Sequence, residues 1–159
     1  MPPDRHEQFM RHAVRLSRER MHDGAGGPFG AVIVRAGEII AEGWNEVTSL
    51  NDPTAHAEIS AIRRACTRLG HFSLEGCDIY TSCEPCPMCL AAIYWARMNR
   101  IFFANDREAA AAIGFDDKRI YGEVSRPVAD REIPTIRLAL PEAADVFAEW
   151  RAKPDKVLY

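Results

Sequence analysis

The 159-residue chain has no apolar run approaching the roughly 20 residues that a membrane-spanning helix needs, so insertion into a bilayer is not expected. Its opening, MPPDRHEQFM, carries charges with no apolar stretch behind them, which argues against a secretory leader. Neither charge dominates: 20 Lys and Arg stand against 23 Asp and Glu, a formal net charge of -3. That balance gives no general electrostatic reason to hold a phosphate backbone, and nucleic acid is not an expected partner. Internal repeats and low-complexity stretches are also missing. The five cysteines are an odd number and three of them crowd into positions 83 to 89, unlike the even, dispersed framework of a secreted disulfide protein. A reduced, cytoplasmic protein with a local thiolate site fits that usage better. With 47% hydrophobic residues, a chain of this length has enough apolar material for one globular domain with a sizeable core.

Periodicity supplies the elements. Asp4 is expected to cap a first helix running to about His22, with Phe9, Ala13, Val14 and Leu16 on one face. GAGGPFG breaks it, and AVIVRAGEIIAEGW reads as a hairpin turning at Ala36-Gly37. A polar loop follows, whose Thr54 is a candidate cap for the helix HAEISAIRRACTRLG. CDIYT is a strand, MCLAAIYWARM a helix with Pro87 in its first turn, and RIFFAND a strand that should run parallel to CDIYT through a right-handed crossover. REAAAAIG is a short helix, TIRLAL a late strand and EAADVFAEW a late helix. The expected architecture is α/β: one domain spanning residues 1–159, a mixed central sheet sandwiched between helices in three layers.

Two short stretches carry chemistry. Cys83, Cys86 and Cys89 overlap as two Cys-x-x-Cys pairs. An iron-sulfur run would want a fourth cysteine where Ile93 stands. A redox dithiol opening a helix is possible, but it leaves HAE at His56 unexplained. Zinc reconciles both stretches, with His56, Cys86 and Cys89 as three ligands and one position left open for water, as catalytic zinc requires. Cys86 and Cys89 lie three apart at a helix start, so both thiols can face one point, while Cys83 falls at the strand end as a packing neighbour. Both helix N-termini would then favour thiolates and developing negative charge. Glu58, two residues from a ligand, stands where it can move a proton between water and substrate. His-x-Glu followed by Pro-Cys-x-x-Cys is the signature of the zinc nucleobase deaminases.

The segments TAHAEISAIRRAC and TSCEPCPMCLAAIYWAR resemble the cytidine deaminase superfamily, and from end to end the chain is similar to its bacterial guanine deaminases. GGPFGAVIV with EGWNEVTSLNDPTAHAE, the Phe-Asp-Asp of AAIGFDDKRIYGE and the terminal Tyr159 carry that narrower likeness. The resemblance implies a cytidine deaminase-like fold, one zinc ion per chain, and hydrolysis of guanine to xanthine and ammonia. It implies that Glu58 shuttles a proton to a ring nitrogen and that Asp117 assists delivery to the leaving amine. Asn45 would hydrogen-bond the purine, with help from backbone near Ala57 and Cys86. Phe29, Trp95 and Tyr159 would close apolar walls around it. It also implies a homodimer in which the C-terminal helix and tail, residues 141–159, are exchanged, so that Tyr159 caps the partner's pocket. The tail departs from the family form: Val157-Leu158 precede Tyr159, where a Lys-Glu pair is common.

Plainer readings remain beside these. Asn45 could be a turn residue, Phe29 and Trp95 core, and Asp116 or Asp117 a helix cap. His6, His12, His22 and His71 have no ligand spacing and read as surface; Cys66 and Cys77 read as small buried residues. Rival activities are deamination of another purine, a nucleoside such as guanosine or a triazine such as ammeline, and a tRNA adenosine deaminase, for which the chain offers little basic surface. A redox or structural zinc module is the rival outside enzymes.

Overall fold

The computed structural model describes residues 3–159. Helix α1 (Pro3–His22) leads through a glycine-rich loop into β1 (Gly30–Arg35) and β2 (Glu38–Trp44). Ala36 and Gly37 between them have φ of 50° and 84°, a pair of left-handed residues whose turn matches the twist of a tight hairpin. A single turn, α2 (Val47–Leu50), precedes α3 (Ala57–Leu69). Strand β3 (Cys77–Cys83), helix α4 (Pro87–Trp95) and strand β4 (Arg100–Asn105) then form the expected crossover. Helices α5 (Arg107–Ala112) and α6 (Asp117–Ser125), a 3-10 turn (Val128–Asp130) and α7 (Pro141–Ala152) complete the chain.

The sheet runs β2-β1-β3-β4, with β1 antiparallel to β2 and β3, and β3 parallel to β4. Strands β1 and β3 are central and covered on both faces, which is why β1 reads as a near-continuous apolar run and why even the polar Asp78, Thr81 and Ser82 of β3 are buried. On one face Phe9, Ala13 and Leu16 of α1 pack against Val32, Val34 and Tyr80. On the other, Ala57, Ala61 and Ala65 of α3 and Ile93 of α4 pack against Ala31, Ile33 and Ile79. These are the three layers expected of the α/β reading. At Gly43 a Cβ would overlap the Ala57 carbonyl oxygen, so α3 rests on β2 main chain to main chain.

Several local expectations are corrected. Asp4 lies in the first turn of α1, not at its cap. Thr54 does not cap α3; its hydroxyl and amide both go to Asp52, and His56 holds the cap position with no side-chain cap bond. His6 and His12 are half-buried: His6 Nδ1 lies 2.7 Å from the Tyr80 hydroxyl and His12 Nε2 2.7 Å from Glu42. TIRLAL forms no strand within this chain. β-Propensity needs an edge to pair with, and the segment reaches none here.

Candidate metal and active site

Two helix starts meet at one point. His56 occupies the N-cap of α3 and Cys86 the N-cap of α4, both with extended backbone. Pro87 fixes the first helical position of α4, and the Cys86 sulfur accepts the Cys89 amide at 3.5 Å, doing for this helix what a serine oxygen usually does. One turn on, Cys89 turns its thiol back beside Cys86. His56 Nδ1 lies 3.6 Å from Cys86 Sγ and 3.5 Å from Cys89 Sγ. Tetrahedral zinc with ordinary Zn–N and Zn–S bonds separates such ligand atoms by about 3.5 Å, so the spacing suits that ion. All three donor atoms fall within 4.8 Å of one another, the one such group among the described residues. Cys83 stands apart; its thiol points to the Asp106 carbonyl at 3.7 Å.

The electrostatics follow from burial and crowding. Hydrogen bonds from Cys89 and then His56 push the Cys86 thiol down to about 4, against the opposing effect of burial. Cys89, deeper and beside that incipient thiolate, is pushed up by Cys86 and by burial. The His56 imidazole is raised, chiefly by its bond to Cys86. Burial raises the Glu58 carboxyl, in the first turn of α3 with 6% of its surface exposed. The Asp117 carboxyl rises too, through burial first and Cys86 second. Cys83 is lifted to about 11 by burial and the nearby Glu58 and Asp117 carboxyls.

A cavity of about 530 Å³ opens over the donor set. Phe29, Asn45, His56, Glu58, Cys86 and Asp117 all line it. Asn45 is buried and its orientation is fixed: Oδ1 accepts the amides of Gly27 at 3.1 Å and Val47 at 3.2 Å. Its amide NH2 is thereby left for the cavity. Gly26 permits this seat, since a Cβ there would overlap Asn45 Oδ1. Ala57 is fully buried at the first position of α3, where a helical amide has no intrahelical acceptor.

Trp95 and Tyr159 do not line the cavity of their own chain. Their rings lie 6.0 Å apart, and both are largely exposed, with Phe72 close to Tyr159. Phe115 was not singled out from the sequence, yet it lines the cavity and meets Phe29 edge to face at 4.8 Å. Its place in the Phe-Asp-Asp run, two residues before Asp117, was the available signal. Glu84 was also missed: it lines the cavity while its carboxylate pairs with Arg107. No pattern of spacing marks a single acid of that kind.

The sequence pattern of the cytidine and deoxycytidylate deaminase zinc-binding region matches residues 3–105. Among curated relatives, guanine deaminase of Bacillus subtilis is 53% identical over 154 residues, covering 97% of this chain and 99% of that protein. A tRNA-specific adenosine deaminase of Aquifex aeolicus is 34% identical over 148 residues, 92% of this chain and 94% of the relative. Among solved structures, guanine deaminase from Bacillus subtilis superposes with a TM-score of 0.94 at 53% identity, covering 97% of this chain and 98% of that one. Guanine deaminase from Nitrosomonas europaea gives a TM-score of 0.65 at 33% identity over 69% of this chain and 63% of that one.

Proposed function

Because the chain belongs to the cytidine and deoxycytidylate deaminase zinc-binding family, we propose that it is a zinc-dependent guanine deaminase, converting guanine and water to xanthine and ammonia. The observation that carries this reading is one cavity in which Glu58, Asn45 and Asp117 surround the His56, Cys86 and Cys89 donors. When bound there, zinc supplies Lewis acidity that makes water a nucleophile at neutral pH. The chain's own residues do the rest. Asn45 offers its amide NH2 to an acceptor of the purine, and Phe29 with Phe115 forms an apolar wall for the ring. Glu58 takes a proton as water adds to the carbon bearing the amino group, and returns it to a ring nitrogen. Asp117, its carboxyl raised chiefly by burial, helps deliver the second proton of the water to the leaving amine. The carbon–nitrogen bond breaks, the water oxygen stays as the new carbonyl, and ammonia leaves.

The C-terminal region supports a second part of the proposal, a homodimer with exchanged segments. Ile136, Leu138, Phe147 and Leu158 are 78%, 82%, 77% and 73% exposed, and no residue of α7 is buried. Strand β4 is the last in the sheet order, so its outer edge could accept the TIRLAL segment of a second copy. Trp95 and Tyr159, lying against each other outside their own cavity, would then close one across the subunit boundary. The rest of the chain, with the site, forms one domain. Among the described residues no helix is long and apolar enough to cross a membrane, and a cytoplasmic place suits an enzyme whose thiols must stay reduced.

The test is ammonia release from guanine, guanosine, adenine, cytosine, cytidine and a tRNA anticodon stem, with the zinc content measured on the same sample. Rapid turnover of guanine alone, at about one zinc per chain, is expected. Zinc-loaded protein that leaves guanine intact overturns the assignment, and release from tRNA replaces it with the RNA reading.

A further inference from the structure

Asp117 stands on a helix that hydrophobic packing does not hold. Helix α6 has no buried residue, and Ile120 and Val124 on it are 48% and 56% exposed. Asp116 caps it from within, its carboxylate accepting the Arg119 amide at 3.4 Å, but a cap fixes the helix and not where the helix sits. What ties α6 to the metal loop is polar. The Tyr121 hydroxyl donates to the Pro85 carbonyl at 2.7 Å, across 36 positions of sequence. Pro85 is the residue immediately before Cys86. The Arg107 guanidinium lies 4.2 Å over the Tyr121 ring and pairs with the Glu84 carboxylate, which also accepts the Arg107 amide at 3.1 Å. Glu84 and Pro85 are thus both held, one through the ring of Tyr121 and the other through its hydroxyl. Asp117 and Tyr121 are four apart, one helical turn on the same face.

Resting on the deaminase reading above, we propose that Tyr121 is a positioning residue for Asp117, clamping the first turns of α6 to the loop that presents Cys86. The phenol touches no substrate. It sets the height of the Asp117 carboxyl over the cavity, and the Arg107–Glu84 pair keeps the ring from swinging away. This gives the segment GFDDKRIYGE one purpose: its two aspartates cap and act, and its tyrosine locates them.

Tyr121→Phe removes one hydroxyl and leaves the ring under Arg107. A misplaced proton donor should lower kcat on guanine by roughly 10- to 100-fold while KM stays within about threefold. Zinc content should not change. In an Asp117→Asn background the same substitution should alter kcat by less than about twofold, because the group it positions is already gone. Wild-type kcat in the single variant, an equal loss in both backgrounds, or loss of zinc would each overturn the proposal, the last by tracing the effect to Cys86. Hydrogen exchange separates this from failure of the deaminase reading. If the wild-type enzyme leaves guanine intact, unchanged amide protection over residues 117–125 in Tyr121→Phe still rejects the clamp.

Discussion

Compare the sheet layers with the last thirty or so residues. Between β1 and α4, Ile33, Leu74 and Ile79 are 0% exposed, and even the polar Thr81 and Ser82 are buried. From Val124 to Tyr159 every residue except Arg131 is exposed, although the segment is nearly as rich in isoleucine, leucine and phenylalanine. Both regions obey the same local rules: α7 begins on a proline and forms where its pattern says it should. They differ in what covers them. The first carries its own lid in α1 and α3, whereas the second presents apolar faces that this chain leaves bare. Local structure needs only the chain itself; burial needs a partner, and here the partner is proposed to be a second copy.

The sharpest way to separate the two regions is to remove the chemistry from the packed one. Glu58→Gln should lower turnover by at least about 10³-fold while zinc stays bound. Steady-state rates beside metal analysis decide it, and retained turnover would unseat Glu58 as the proton carrier. Next comes the tail. Ending the chain after Lys153 should cut guanine turnover by about 100-fold and leave the metal in place; a truncated enzyme of normal rate would remove Tyr159 from any pocket. Third, Ile33→Ala should cost about 2–5 kcal/mol at every protein concentration, as a cavity in a self-contained core does. Leu138→Ser should instead lower the melting temperature only as the protein is diluted, because it weakens association. If both losses are independent of concentration, the contrast between the regions fails.

The smallest effect concerns pH. The Arg107 guanidinium beside Glu84 holds that carboxyl below its ordinary value of 4.5. A carboxyl depressed by folding stabilises the protein above that ordinary value and loses the contribution as pH falls through its folded value. The melting-temperature gap between wild type and Glu84→Gln should therefore be constant near neutrality and close in acid. A gap that widens in acid would mean that the pair does not stabilise the fold.

How much of this could be read from the residues depends on distance along the chain. His56 with Glu58, and Cys86 with Cys89, each lie within one helical turn, so their facing directions follow from spacing alone. That the two helix starts converge rested on the strand-helix alternation, which also fixed the parallel pairing of β3 and β4. The failures have one cause, a contact that no local pattern encodes. Thr54 had the chemistry of a cap, but Asp52 was nearer to it. His6 and His12 looked like surface until Tyr80 and Glu42 arrived beside them from strands 30 or more positions away. TIRLAL has the composition of a strand and no edge within the chain. Phe115, Glu84 and Tyr121 matter only through neighbours brought together by the fold.

Gly43 bears on how such an enzyme tolerates change. Because α3 rests on β2 through main-chain atoms, the helix that starts at His56 has a hard stop on that side, independent of which side chains fill the layers around it. Swapping one aliphatic residue for another elsewhere in the core alters how firmly the protein is held together. It does not let the ligand and the acid drift from their posts. The stretch of surface where two backbones touch is therefore a datum from which the rest of the active site is measured, and a methyl group there would displace the origin itself.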